Sequence, residues 1–255
     1  MSKVIKDRSK RRARNCLLIS VLILLVGCNR ENIDDCFTNS GKVVTESRSA
    51  VYFERVSLYD NINLVLQQGT EFSIKVEGGE NLLSAVTTEI SDSILVIHNT
   101  LKCNWVRDYE NEISVYITSP ALKSIRYESS GDIKTLGVLK YDELELNAWG
   151  GSGSISLNVD CNILNLGLHY GTVDFNVIGK AVTTTIYANS FGPFYCEGLN
   201  SNIVFIRNSG TNDCYIHANH ILGAEITSVG NIYYSGDPYD FSYSITGTGQ
   251  LIKIE

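Results

Sequence analysis

The sequence predicts an all-β protein whose main body is a parallel β-solenoid with about 20 residues per coil. Glycines recur along the last half of the chain at intervals of 18 to 22 residues, and six of the seven residues that stand two positions after them are apolar. Apolar residues also alternate within each period, which indicates strands and not helices. The glycines are Gly131, Gly153, Gly171, Gly192, Gly210, Gly230 and Gly249. We expect each of them at a corner of a coil, where the chain bends sharply.

The first 27 residues have the features of a secretion signal. A cationic segment precedes the apolar run from Cys16 to Val26, which is too short to span a bilayer. The run ends in Leu25-Val26-Gly27-Cys28, which resembles the lipobox of bacterial lipoproteins. The resemblance implies lipidation of Cys28, cleavage after Gly27 and durable anchoring through several acyl chains.

The rest of the chain divides into three parts. Residues 28–45 are polar and are expected to form a tether, and Asn29 favours the outer membrane as the destination, on its periplasmic or cell-surface face. Residues 46–120 form an N-terminal β section with alternating apolar positions, and residues 121–255 carry the solenoid repeats. We expect 46–255 to be one continuous domain, with the longest loop at Trp105–Asn111.

Several segments of this region resemble one known family. They include Phe53-Glu54-Arg55-Val56, Ile62-Asn63-Leu64-Val65-Leu66-Gln67-Gln68-Gly69, Asn81-Leu82-Leu83, Leu122-Lys123-Ser124-Ile125 and Ser130-Gly131-Asp132-Ile133. Together they are similar to the putative auto-transporter adhesin, head GIN domain family, over roughly residues 50–250. The resemblance implies a lipoprotein signal followed by a β-solenoid, and it implies no catalytic residues. Asn212 departs from the pattern by occupying an apolar position, which predicts a local irregularity.

The charge distribution argues against one class of partner. Seven of the 21 basic residues and one of the 28 acidic residues lie in the first 27 positions, so the remainder has a formal charge of −13. An acidic surface repels phosphate backbones, and we therefore expect no nucleic-acid partner.

Five cysteines remain after Cys28. Cys196 and Cys214 each lie four residues after a glycine, which would place them in adjacent coils about 4.8 Å apart and within disulfide range. The alternative, which we favour, is two buried thiols in the core. Cys36 and Cys103 form a second candidate pair that would join the tether to the first β section.

Three aromatic residues are candidate ligand contacts. Trp149, Tyr170 and Phe191 are separated by 21 residues each, which matches one corner in three successive coils. If exposed, such a strip would stack on sugar rings or contact a partner peptide. The alternative is an aromatic stack packed into the wall or core of the solenoid, and we expect that buried arrangement.

These features favour an envelope lipoprotein that binds a glycan or another envelope protein through an extended solenoid face, without a metal or cofactor. Two alternatives remain, a polysaccharide-active β-solenoid lyase or hydrolase and a structural scaffold. The enzyme would need clustered carboxylates. Asp132, Asp174 and Asp213 instead fall on alternate coils, about 10 Å apart. His217 and His220 have the spacing of a metal pair, but no further ligands complete a tetrahedral set.

Overall fold

The structure, a computed structural model, describes residues 39–101 and 112–255. Within them, residues 40–100 and 112–255 form one compact all-β unit with about 20 residues per coil. The strands are β1 (Val43–Arg48), β2 (Arg55–Asp60), β3 (Asn63–Gln68), β4 (Ser73–Gly79), β5 (Val86–Ser91), β6 (Ile94–Asn99), β7 (Ser114–Ser119), β8 (Ser124–Ser129), β9 (Ile133–Leu136), β10 (Glu143–Gly151), β11 (Ser154–Leu168), β12 (Asp174–Ala188), β13 (Phe194–Asn208), β14 (Cys214–Ile226), β15 (Ile232–Ser235), β16 (Asp240–Ile245) and β17 (Leu251–Lys253). A 3₁₀ turn lies at Leu83–Ala85. The described residues include no helix long and apolar enough to cross a membrane.

Two walls of parallel strands make up the solenoid. The first wall contains β3, β7, β9, the first halves of β11 to β14, β15 and β17. The second wall contains β2, β6, β8, β10, the second halves of β11 to β14, and β16. Each of the long strands β11 to β14 therefore runs through both walls, and each wall has one surface facing the core and one facing solvent. This confirms the predicted all-β fold class and the parallel solenoid.

The N-terminal β section is built into the same stack, in an order that differs from the order of the chain. Strand β2 lies between β6 and β8, and β3 lies between β7 and β9, with all four pairings parallel. The coil formed by β2 and β3 is therefore second in the stack. The coil formed by β6 and β7 comes later in the chain but lies outside it.

Antiparallel strands cover the N-terminal end of the stack. Strand β4 pairs with β7 and β1 pairs with β4 on the first wall, and β5 pairs with β6 on the second. A solenoid needs such an end cap because the terminal coil has a neighbouring coil on one side only and would otherwise expose its core residues on the other. The predicted division near residue 120 therefore does not separate two bodies, because β2 and β3 bond directly to β8 and β9.

Stacked apolar rows fill the core. The row nearest the glycine corners consists of Ile133, Ile155, Phe175, Phe194, Cys214, Ile232 and Leu251, each paired in register with the next. The rings of Phe175 and Phe194 stack in this row with centroids 4.4 Å apart, and both side chains are fully buried. In five of the seven coils, the residue of this row stands two positions after the glycine. In the other two, Phe175 and Cys214 stand four residues after their glycines.

The irregularity predicted at Asn212 lies in one of these two coils. Phe194 pairs with Cys214, so Asn212 falls in a turn that is two residues longer and lies exposed. Asn208 is fully buried beneath this turn and donates from Nδ2 to the carbonyl oxygens of Asn212 (3.0 Å) and Asn231 (3.1 Å). The buried amide thus satisfies backbone groups that the longer turn would leave unpaired.

Candidate binding surfaces

Tyr170 and Phe191 form an exposed aromatic corner on the turns that follow β11 and β12. Their side chains are 63% and 60% exposed, respectively. In the described part of the chain, neither ring packs on another aromatic ring and neither side chain forms a hydrogen bond. The turn itself is held firmly, since the Phe191 amide donates to the carbonyl oxygen of Gly171 at 3.1 Å. The expectation that these rings are buried is therefore wrong, because core-facing positions beside the turn are filled by Leu168 and Ala188.

Trp149 does not belong to the aromatic corner. It lies at a β-bulge of β10, its ring stacks on His169 with centroids 3.7 Å apart, and the Arg126 guanidinium lies 5.2 Å from its centroid. The indole therefore contacts side chains of both neighbouring coils, while the residue stays 39% exposed. Ala148 pairs with Leu168, a repeat of 20 residues, so a spacing of 21 moves each aromatic residue one position along the coil. The three predicted contacts thus do not form a single strip.

His169 is held in its neutral form. Burial and, to a smaller extent, the positive charge of Arg126 lower its pKa, while Glu145 opposes the shift. Its Nε2 lies 3.1 Å from Oδ1 of Asn147, which accepts a hydrogen bond from the ring. A neutral imidazole stacks on Trp149 without placing a second cation beside Arg126.

A tyrosine ladder, formed by Tyr195, Tyr215 and Tyr233, lies on the solvent side of the first wall. The centroids of Tyr195 and Tyr215 are 5.6 Å apart, and those of Tyr215 and Tyr233 are 4.8 Å apart, with both pairs stacked. Stacking along the solenoid axis covers the ring faces between neighbours and leaves the edges and hydroxyls toward solvent. The ladder was not predicted from the sequence, although each tyrosine directly follows a residue of the core row nearest the glycine corners.

A groove of about 480 Å³ crosses β12, β13, β14 and β16 on the solvent side of the second wall. This second-wall groove is lined by the side chains of Thr185, Tyr187, Phe205, Arg207, Glu225, Ser242 and Ser244, with Gly223 at its floor. The Phe205 side chain is 48% exposed and packs on no other aromatic ring among the described residues. The groove was also not predicted from the sequence. The feature that points to it is a glycine inside a strand, a position where a ligand or another backbone often approaches closely.

Two of the three carboxylates weighed for catalysis serve the turns instead. Oδ1 of Asp132 accepts from the Ser154 amide at 2.8 Å, and Oδ1 of Asp213 accepts from the Asn231 amide at 2.9 Å. Each carboxylate therefore ties one coil to the next.

The two histidines weighed as a metal pair also have local partners. His217 hydrogen-bonds through Nδ1 to Ser235 (2.8 Å) and through Nε2 to Asn219 (3.0 Å), and the ring of His220 packs against Tyr239. No cluster of three or more histidine, cysteine or acidic side chains suited to a metal occurs in residues 39–101 and 112–255.

Cys196 and Cys214 are free thiols, and both are buried. Cys214 pairs in register with Phe194, and Cys196 pairs with Ile216, so the two cysteines are offset by two residues along adjacent coils. Burial raises the pKa of Cys214 to about 12, which keeps the thiol protonated at neutral pH. The disulfide interpretation is therefore replaced by its alternative of two buried core thiols.

Several predictions fall outside the described residues. These are the signal segment 1–27, the lipidated Cys28, the pair Cys36 and Cys103, and the loop Trp105–Asn111.

The comparisons with known proteins agree on the fold. The closely similar solved structures include a putative adhesin from Bacteroides fragilis, with 23% identity, a TM-score of 0.76, and coverage of 84% of this chain and 97% of that one. A putative adhesin from Parabacteroides distasonis has 18% identity and a TM-score of 0.64, covering 84% and 98%. A protein from the same organism described as a putative lipid binding protein has 20% identity and a TM-score of 0.65, covering 84% and 98%.

The family assignment rests on sequence. The comparison with curated proteins gives no match. The sequence pattern of the family described as "Putative auto-transporter adhesin, head GIN domain" matches residues 52–238, which is more than half of the chain. The matched residues include β2 to β15, and so contain both walls, the aromatic corner and most of the second-wall groove. The chain therefore belongs to the putative auto-transporter adhesin, head GIN domain family.

Proposed function

We propose that this protein is a non-catalytic, adhesin-like binding module of the bacterial cell envelope. Lipid on Cys28 anchors it to the outer membrane, and the solenoid binds a glycan or another envelope protein. The observation that carries the proposal is the aromatic corner, where Tyr170 and Phe191 expose 63% and 60% of their side chains on a hydrogen-bonded turn. Large exposed aromatic side chains on a rigid base are typical of interaction surfaces.

The repeated structure supports binding over a broad surface. Each coil presents equivalent positions to solvent, so contacts add along the stack and do not converge on a deep pocket. The rings of the aromatic corner have no aromatic partner among the described residues, whereas the Trp149 ring already stacks on His169 and lies beside Arg126. We therefore retain Tyr170 and Phe191 as the primary contacts and assign Trp149 a supporting role in the wall.

The use of carboxylates also favours a binding role over catalysis. Asp132 and Asp213 accept hydrogen bonds from backbone amides of the neighbouring coil. One oxygen of each carboxylate is therefore committed to a structural hydrogen bond, and the two groups lie in different coils and do not face each other across one substrate site.

The experiment separates binding from cleavage. The soluble fragment 29–255, which contains the whole described unit, is incubated with purified envelope fractions and with a panel of polysaccharides. We expect the fragment to be retained on at least one of these materials, with no release of new reducing ends or unsaturated sugar products. Retention without cleavage supports the proposal, whereas catalytic release of oligosaccharides would favour the lyase or hydrolase alternative. Failure to bind any fraction would favour a structural scaffold.

A further inference from the structure

We propose that the second-wall groove binds an uncharged sugar unit of a glycan chain. This inference rests on the proposed function as a binding module, and it adds a site and a ligand class. Three features carry it: the shape made by Phe205 and Gly223, the polar groups at the rim, and the position of the groove within an already paired sheet.

Gly223 creates the floor of the groove. It pairs in register with Phe205 on one side and Ser242 on the other, so it occupies a position where neighbouring coils carry side chains. A β-carbon at Gly223 would lie 2.8 Å from Cδ1 and 3.2 Å from Cε1 of Phe205. The phenyl ring therefore leans over the glycine, and it does so with 48% of its side chain still exposed. An exposed ring beside a depression offers apolar area on which the C–H face of a sugar ring packs.

The polar groups at the rim match hydroxyl groups. Nε of Arg207 lies 3.5 Å from Oε2 of Glu225 and 3.2 Å from Oγ of Ser209. Because both contacts use Nε, the terminal nitrogens of the guanidinium keep their hydrogens for a ligand. Glu225 offers acceptor oxygens beside them. A donor and an acceptor at this separation fit neighbouring sugar hydroxyls, and the hydroxyls of Thr185 and Ser242 make no hydrogen bond in the described residues.

The charges indicate an uncharged ligand. Arg207 and Glu225 cancel within the groove, and the chain after residue 27 has a formal charge of −13, which repels acidic glycans at long range. A groove of about 480 Å³ with mostly apolar walls and a few convergent polar groups has the size and composition of a small-ligand site.

The position of the groove argues against a peptide. Strands β13 and β14 are hydrogen-bonded on both sides within the second wall, to β12 and β16. An extended peptide therefore cannot add to them as a further strand, which is the usual way in which a sheet binds a peptide. Around Phe205 and Gly223 the groove therefore offers side chains and no strand edge, whereas β16, which pairs with β14 alone among the described strands, is the edge strand at its outer end.

The test uses the full-length chain, purified in a detergent without a sugar head group. Maltohexaose, cellohexaose and mannohexaose are the neutral probes, and a polygalacturonate hexamer is the acidic one. Binding is measured by isothermal titration calorimetry. We expect one or more neutral probes to bind, and the acidic probe not to bind. Phe205→Ala and Gly223→Val should each weaken that binding about tenfold or more, since one removes the ring and the other fills the depression.

Ile178→Ala is the matched control, because Ile178 lies in β12, which also crosses the groove, but it is exposed (53%) on the first wall. It should change the affinity less than about twofold. Circular dichroism verifies the fold of each variant. If Gly223→Val fails to fold, Phe205→Ala still tests the groove, because it adds no volume to the structure. Absence of binding to all neutral probes, or equal binding by Phe205→Ala and the wild type, would overturn the inference. If the chain still binds envelope fractions through Tyr170 and Phe191, only this inference fails and the proposed function stands.

Discussion

Phe194 and Phe191 lie in the same coil and form a matched pair for testing which aromatic side chains stabilise the solenoid. Phe194 is fully buried and stacks on Phe175 with centroids 4.4 Å apart, whereas Phe191 is 60% exposed. Replacing a buried phenylalanine by alanine typically costs about 3–5 kcal/mol, from lost transfer energy and from the cavity that remains. A surface substitution usually changes stability by about 0.5 kcal/mol or less.

These free energies give separable shifts of the melting temperature. For a domain of this size, 1 kcal/mol corresponds to about 2–4 °C, so Phe194→Ala should lower the melting temperature by about 6–20 °C. Phe191→Ala should lower it by about 2 °C at most. Thermal unfolding of the 29–255 fragment is followed by far-UV circular dichroism and by tryptophan fluorescence, because coincident transitions justify a two-state interpretation. Similar falls in melting temperature for the two variants would refute the assignment of Phe191 to the surface and Phe194 to the core.

Three further predictions concern the anchor, a titration and a corner. Cys28→Ser should abolish incorporation of radiolabelled palmitate, and continued labelling would disprove the lipobox interpretation. Burial and Arg126 lower the pKa of His169, so the folded state binds fewer protons than the unfolded state and loses stability as the pH falls below about 6.5. NMR titration should give a pKa below that value which rises in Arg126→Ala, and a value at or above it would contradict the stack. Gly192→Ala would bring a β-carbon into collision with the carbonyl oxygen of Val173 in the neighbouring coil. It should cost about 1–3 kcal/mol in urea unfolding, and Gly150→Ala, with open space around it, should be neutral.

The periodicity of the sequence was sufficient to predict the parallel solenoid and the length of its coils. Glycine corners and alternating apolar residues are local signals, and both follow directly from how a coil turns and buries one face. The order of the first coils had no such signal. Strands β4 to β7 lie between β3 and β8 in the chain, but β2 and β3 pair directly with β8 and β9, and a repeat period does not encode that long-range choice.

Register was the second limit. A glycine marks a corner, but the number of residues between the corner and the next core position varies from coil to coil. Cys214 lies four residues after Gly210, whereas Phe194 lies two residues after Gly192, and this difference separated the predicted cysteine pair. The sequence did carry a warning in Asn212, a polar residue at a position that is apolar in the other coils.

Exposure of the aromatic residues was the third limit. The spacing of 21 residues was read as one stacked strip, but coils that repeat every 20 residues shift Tyr170 and Phe191 along the turn and out of the wall. Trp149 alone joined a stack, through a bulge that places it beside His169. Whether an aromatic side chain faces the core or solvent changes with a one-residue shift in register, which composition and spacing do not fix.

The proposed function requires that the aromatic corner binds a ligand and contributes little to the stability of the fold. Its most direct test is a calorimetric titration of the ligand obtained from the envelope and polysaccharide screen, using the wild-type fragment and the double variant Tyr170→Ala/Phe191→Ala. We predict that the double variant binds about tenfold more weakly or worse, while its melting temperature falls by no more than about 4 °C. Wild-type affinity in the double variant, or a loss of affinity accompanied by a melting temperature lowered by about 6 °C or more, would contradict the claim.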